Sequence, residues 1–595
     1  MNLLLNPIRT NREYVEIQKA LNDTHTSLRK YPFLVTGLCE GALDAFLAAS
    51  VLDSSKGALP AFICAPDEKS AAGLLHSLTA FGLRVSLYPE RDPVLYNIVS
   101  SHELEHERIA VLTDLIEDKL DAVIATPPAA LSFTIPEEHL RHATKLLSVG
   151  DTIEMEELAL FLSRSGYVRS DMVDGKGKFS IRGGIIDIFP PHLRLPVRME
   201  LFGDEIDQIG YFDIMTQRKT DKINEVLITC AREILLSDEK RDGLATLVKA
   251  AAGKASDPEI KRSLMHEYET LENDLDIAFS DKYISCIYTE RTTLLDYFRK
   301  DALTFAVETP SILDRVRAEA AHMQETTGDL IKSGLLLPKY CEFSKDETEL
   351  LSFFESRGAL LCNTFVSQYP GKLSSMFTMN VRPTPAVTAD FAILSEDISS
   401  YLRSKYATLL LCENEVEASS MCSILIENEI PAIHSPKLDT NAIPGTVIVS
   451  SFPIKGFEMQ TEKFVCISLS SGANKTERAL RRRAARNNKP AVKAKEKILS
   501  YADLEVGDFV VHDVHGIGIY MGLESIKTYE GVRRDHIKIQ YSGSDVLFVP
   551  CEQIDSVSKY IGAGTENGGL KLSKLGGSEW TKAKSRVKAE VKSMA

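Results

Sequence analysis

Over roughly the first 130 residues, short apolar runs alternate with stretches of helical period. FLVTG, an alanine-rich helix, AFICA, a second helix, RVSLYP, a long helix and DAVIATP follow one another. This rhythm predicts a parallel sheet with crossover helices. From about 150 to 215 the period shortens: KFSIRGGIIDIFPP and PVRMELFGDEIDQIGYFD read as short strands around Gly and Asp turns, a β-rich insert. A mixed α/β pattern returns after Val226 and runs to about 385. ATLLLC, a helix through Ile426, GTVIVSS and KFVCISL then make a compact α/β unit. Beyond it, 475–497 has no apolar period and contains Pro490, so it reads as a linker. LEVGDFVVHDVHGIGIYMGL, HIKIQY and VLFVP predict a small all-β domain, and a basic helical segment starts at Ser578. The expected division is 1–130, 131–218, 219–388, 389–470, 471–497, 498–570 and 571–595, an α/β multidomain protein with a β-rich insert.

At 595 residues the chain is too long for one core. Its 44% hydrophobic and 26% charged content is that of a globular protein, and no run approaches the ~20 apolar residues of a membrane span. The start, MNLLLNPIRTNREY, has too short an apolar stretch for a secretory signal. Ten cysteines stand singly without C-x-x-C, which argues against a disulfide framework or a cysteine zinc site and fits the cytoplasm. The net charge of −15 is uneven: ten Lys/Arg and two Glu give 475–497 a local +8, leaving about −23 elsewhere. That segment suits a tether or an auxiliary contact to DNA phosphates.

Four motifs suggest chemistry. LVTGLCEGALDAFL begins like a phosphate-binding loop, an apolar strand, a turn at Gly37, then a helix. With Gly41 as the second glycine of G-x-x-x-x-G-K-[ST], Thr36 stands at the first, and Ala42 and Leu43 stand where Lys and Ser/Thr are needed. Phosphate charge and Mg²⁺ would both lack their ligands, so the loop reads as a non-functional scaffold. GDEID, 203–207, resembles a Walker B acid pair but reads as a hairpin turn between MELF and IDQI. HELEH, 102–106, matches the zinc-peptidase H-E-x-x-H. Helical geometry expects Leu104, Val111, Leu112, Leu115 and Ile116 on the apolar face and His102 and His106 on a solvated face, with no metal. GxG in HGIGIY lies inside a strand pattern with no helix after it, so it is not a dinucleotide fingerprint.

GKFSIRGGIIDIFPP followed by PVRMELFGDEIDQIGYFDIMTQRKT resembles the excision-repair protein UvrB and, more closely, the N-terminal part of the bacterial transcription-repair coupling factor (Mfd) family. LEVGDFVVHDVHGIGIYMGL through SVSKYIG is similar to that family's CarD-like, Tudor-type barrel, and LSKLGGSEWTKAKSRVKAEVKSMA to the helix leading into its motor. The resemblance implies a UvrB-like domain formed by 1–130 and 219–388 with a degenerate P-loop, a UvrA-binding domain at 131–218, a small domain at 389–470 of unassigned role, and an RNA-polymerase-binding barrel at 498–570. It implies UvrA contacts at Arg169 and Arg182, with Phe179 and Phe189 as apolar neighbours and Ser180 where UvrB carries a further arginine. It implies contacts to the polymerase β subunit at Leu523, Ile526, Lys527, Arg533 and Arg534 through an exposed strand edge. The stretch PERDPVLYNIVS is too short for UvrB's DNA-clamping hairpin. The chain is expected to end where the motor would begin. On that expectation it has no cofactor of its own and no ATPase activity. ATP, Mg²⁺ and most double-stranded DNA contact belong to an ATP-dependent translocase, and the UvrA face is constitutively open. The alternatives are a UvrB-like damaged-DNA binder, a weak NTPase or a zinc peptidase.

Overall fold

The computed structural model describes residues 2–22, 31–54, 59–91, 93, 102–255, 257–273, 280–333, 336–337, 340–384, 391–438, 442–469, 508–512, 516–527, 533–541, 546–550 and 557–559. The basic stretch 475–497, the segment from 571 and most of PERDPVLYNIVS lie outside them. The chain forms two compact units, Met1–Ser470 and Ser471–Ala595.

The centre of the first unit is a seven-stranded, all-parallel sheet. Its order is Ser375–Thr378, Phe33–Thr36, Leu360–Asn363, Thr304–Val307, Ala61–Cys64, Ala122–Ala125, Val85–Tyr88. The five inner strands are buried along their whole length, as expected where helices cover both faces. Four strands come from before residue 126 and three from after 303. The two α/β segments that flank the β-rich insert therefore complete one sheet.

The insert is a six-stranded sheet whose strands are labelled here β1 (Val168–Arg169), β2 (Lys178–Arg182), β3 (Ile185–Ile188), β4 (Val197–Phe202), β5 (Glu205–Phe212) and β6 (Lys219–Ile223). They lie in the order β6-β5-β4-β3-β2-β1, antiparallel except for β1 on β2. Alternation puts Phe179, Ile186, Ile188, Val197, Met199, Ile206 and Ile209 on one face, where they share a core with Leu158, Leu162, Val226 and Ile228. That core runs from Leu147 to Ala231. Leu131, Phe133, Ile135 and Leu140, expected within the insert, pack instead in the core of the parallel sheet. The reason is backbone pairing: the Phe133 N–H donates to the Phe343 carbonyl and the Thr134 N–H to that of Thr292.

A second α/β sheet of six strands is built from residues 382–468, with Ala407–Cys412 at its parallel centre between Phe464–Ser468 and Val447–Ser451. It abuts the first sheet's helices. Phe452 stacks edge-on to Phe81 with centroids 4.8 Å apart, and Asn11 donates to Glu462 at 2.9 Å.

In the second unit, β7 (Phe509–His512), β8 (Gly516–Lys527), β9 (Arg533–Gln540), β10 (Val546–Pro550) and β11 (Val557–Lys559) form an antiparallel sheet in the order β10-β9-β8-β7-β11. The HGIGIY glycines thus lie in a strand, Gly518 packing against Ile539 and the Gln540 backbone.

Candidate docking surfaces

On the outer face of the six-stranded sheet, away from the core, Asp187 is fully buried and binds two arginines. Arg182 Nη2 donates to Asp187 Oδ2 at 2.7 Å, while Arg198 donates through Nε to Oδ1 at 2.6 Å and through Nη2 to Oδ2 at 2.9 Å. Arg198 also donates to the Gln217 carbonyl at 3.1 Å and lies 4.6 Å from the Phe212 ring centroid. Its side chain is 14% exposed, against 49% for Arg182. The hydrogen bond to Asp187 raises the Arg198 pKa further above its ordinary value. Arg198 therefore belongs to the scaffold, and Arg182 offers a guanidinium to solvent. Two cations sharing one carboxylate leave a net positive centre, suited to a partner carboxylate. Arg198 was not singled out from the sequence; its signal was the in-out alternation of VRMELF beside the buried acid of IIDI.

The remaining residues expected at this face are placed differently. Arg169 is exposed but pairs in register with Phe179, so strand parity sets it on the opposite face from Arg182. Phe179 is fully buried in the core, a correction to its expected role as a contact. Phe189 is 5% exposed and packs with Val173 and Phe212 beneath the outer face, so it supports that face rather than presenting its ring. Ser180 is buried, its hydroxyl donating to the Asp171 carbonyl at 2.9 Å.

HELEH requires a larger correction. Along the helix Glu103–Ile116, Leu104 is 45% exposed, whereas Glu105 and Arg108 are 1% exposed and His106 9%. Glu105 accepts from the Glu233 N–H at 2.7 Å and Arg232 Nε at 3.2 Å, and lies 2.9 Å from His102 Nδ1. Glu233 accepts from Arg108 at 2.8 Å, Thr134 at 2.6 Å and Arg91 at 3.2 Å. Burial would raise the Glu105 carboxyl, yet Arg232, His102 and Arg91 hold it well below the usual range. Burial lowers His106 to about 4, so its imidazole is neutral. Mutual neutralisation lets a charged helix face turn inward, which periodicity reads as solvated. Among the described residues no group of three or more His, Cys, Asp and Glu could hold a metal.

The strand Phe33–Thr36 passes through Gly37, at φ +73°, into the helix Glu40–Leu52, which is buried on nearly every side. A methyl group on Gly41 would lie 1.9 Å from the Lys455 carbonyl oxygen. Lys455 also forms an ion pair with Glu40. The backbone of the second α/β sheet therefore closes against the helix's first turn, where a phosphate-binding loop would face its ligand. GDEID is a hairpin turn, with Phe202 opposite Glu205 and Gly203 at φ +64°.

In the second unit, Leu523, Ile526 and Lys527 lie on β8, where Ile526 pairs with Arg534 and Lys527 with Arg533 of β9. A bulge between Tyr520 and Gly522, at φ +107°, precedes them. On β8, β7 pairs with Gly516 to Ile519, and the Tyr520 N–H donates to the Asp508 carbonyl just before β7. Among the described residues the edge of β8 opposite β9 thus carries no paired strand beyond Tyr520.

Comparison with known proteins follows these two places in the fold. The UvrB interaction domain family matches residues 146–233, and the CarD-like/TRCF RID domain family matches 504–561. The chain is 31% identical to the transcription-repair-coupling factor of Staphylococcus haemolyticus (strain JCSC1435), over 98% of this chain and 49% of that protein. It is 30% identical to those of Staphylococcus aureus strains MRSA252 and USA300, over 100% of this chain and 50% of each. The chain spans about half the length of the curated relatives it matches, and its resemblance to the coupling factors runs from end to end.

Proposed function

We propose that this chain, similar throughout to half of a transcription-repair coupling factor, is an adaptor that grips stalled RNA polymerase and recruits the excision-repair protein UvrA. One observation carries the reading: a UvrB interaction domain and a CarD-like/TRCF RID domain occur together in a chain that aligns end to end with coupling factors. UvrA docks on the outer face of the six-stranded sheet, where Arg182 supplies a directed cation. The polymerase β subunit adds a strand to the open edge of β8 beside Ile526, and the second unit closes as the Tudor-like barrel of that family. ATP hydrolysis and translocation along double-stranded DNA belong to the motor of the whole protein. Two features support a non-catalytic role for this half: Ala42 and Leu43 at the Lys and Ser/Thr positions, and the Lys455 backbone against Gly41.

The test is a pull-down of the chain with UvrA and with the polymerase β subunit. Arg182→Glu should lose UvrA and keep polymerase, and Ile526→Arg should do the reverse. If both variants retain both partners, the adaptor reading fails.

A further inference from the structure

Beyond Arg182, the outer face carries an apolar group that no packing accounts for. Phe202, at the β4–β5 turn, is 85% exposed. Val197 and Met199 point into the core, so alternation along β4 puts Arg198, Glu200 and Phe202 on the outer face. Register sets Glu200 opposite Ile185, and Ile185 opposite Arg182. Phe202 therefore stands one outward step along β4 past the row that ends in Arg182. With strands ~4.8 Å apart and ~3.3 Å of rise per residue, the two Cα atoms are roughly 12 Å apart. A standard interface covers about 800 Å² per partner, so both residues fit well within one. Aromatic residues and arginine are the groups that most often dominate binding energy at such interfaces.

Asp187 determines how Arg182 meets a partner. Arg198 gives two hydrogen bonds to Asp187 and two to Gln217 and is mostly covered, whereas Arg182 gives Asp187 one and stays half exposed. The shared carboxylate fixes one end of the Arg182 fork, so less side-chain freedom remains to be lost on binding.

We propose that Phe202 and Arg182 are two anchors of one docking face, with Asp187 as the residue that positions Arg182. The face takes a protein segment that presents a carboxylate next to an apolar recess. The proposal rests on the assignment of UvrA to this sheet and adds the chemistry by which UvrA is held.

The experiment measures UvrA affinity for the full 595-residue chain and its variants. Phe202→Ser should weaken binding about tenfold or more. Val416→Ser, which removes a side chain that is 76% exposed on the helix Glu415–Glu427, far along the chain, should leave it unchanged. Asp187→Asn should weaken binding in the wild-type background and have no further effect on Arg182→Ala, a coupling that loss of stability alone does not produce. Because Phe202 is at an exposed turn, its variant folds whether or not Asp187→Asn does. If Arg182→Glu abolishes binding while Phe202→Ser and Asp187→Asn bind like the parent, the two-anchor proposal falls and the docking assignment stands. If Arg182→Glu binds like the parent, the docking assignment falls, and the proposal with it.

Discussion

His106 shows how far one side chain can depart from what its neighbours in sequence suggest. Burial holds it neutral, with a pKa of about 4 against the free imidazole's ~6.5, in the company of Glu105, His102, Lys176 and Arg232. Since the folded value is the lower one, the unfolded chain takes up the proton first as the pH falls. His106 therefore costs no stability above about pH 6.5, and destabilises progressively from there down to about pH 4. The full effect is on the order of 3 kcal/mol. Unfolding measured across this range should be less steep with pH for His106→Asn than for the parent, and equal slopes would show that the residue is not neutral and buried. The neighbouring Leu104, exposed while Glu105 and Arg108 are buried, marks the limit of reading single residues. A helical wheel ranks side chains by polarity, and the groups that make this burial tolerable, Arg91 and Arg232 for Glu105 and Glu233 for Arg108, come from other segments. Phe179 illustrates the same limit: its sequence neighbours mark a strand, but only the pairing register separates an inner from an outer face.

Whole elements were more legible than their surroundings. Apolar runs such as AFICA and DAVIATP became buried parallel strands because both faces of that sheet are covered, and alternation in VRMELF became β4 with one wet face. GDEID was a turn for the reason its glycine implied. What no element could announce was its neighbour: Thr304–Val307 pairs with Ala61–Cys64 and Leu360–Asn363 with Phe33–Thr36, each more than 240 residues earlier. Two helical glycines separate local preference from packing. Gly243 lies on the exposed side of the helix Asp238–Lys254 with open space around it, so Gly243→Ala should stabilise the fold by about 0.5–1 kcal/mol. Gly41→Ala improves helix propensity equally, yet it forces its methyl into the Lys455 backbone and should destabilise by about 1–3 kcal/mol. Urea unfolding of the pair tests this directly: the shifts should have opposite signs.

At the scale of the molecule, the two matched domains fall in different compact units, with the UvrB interaction match before Ser470 and the CarD-like match after it. Each surface can accordingly be disabled without disturbing the core that carries the other. The same view bears on nucleotides. A chain that bound ATP would gain about 2.7 kcal/mol of stability at a ligand concentration of 100 Kd. Millimolar ATP with Mg²⁺ should leave the thermal midpoint of this chain unmoved, and a clear rise would revive the NTPase reading. The closed first turn of Glu40–Leu52 is the reason for that expectation. Placing Lys and Ser at positions 42 and 43 would supply the charge and hydroxyl of the phosphate-binding motif, but the Lys455 carbonyl would remain in contact with Gly41. Such a variant would still need the neighbouring backbone moved from its seat, so a nucleotide site here would demand a change of architecture that two point mutations do not supply.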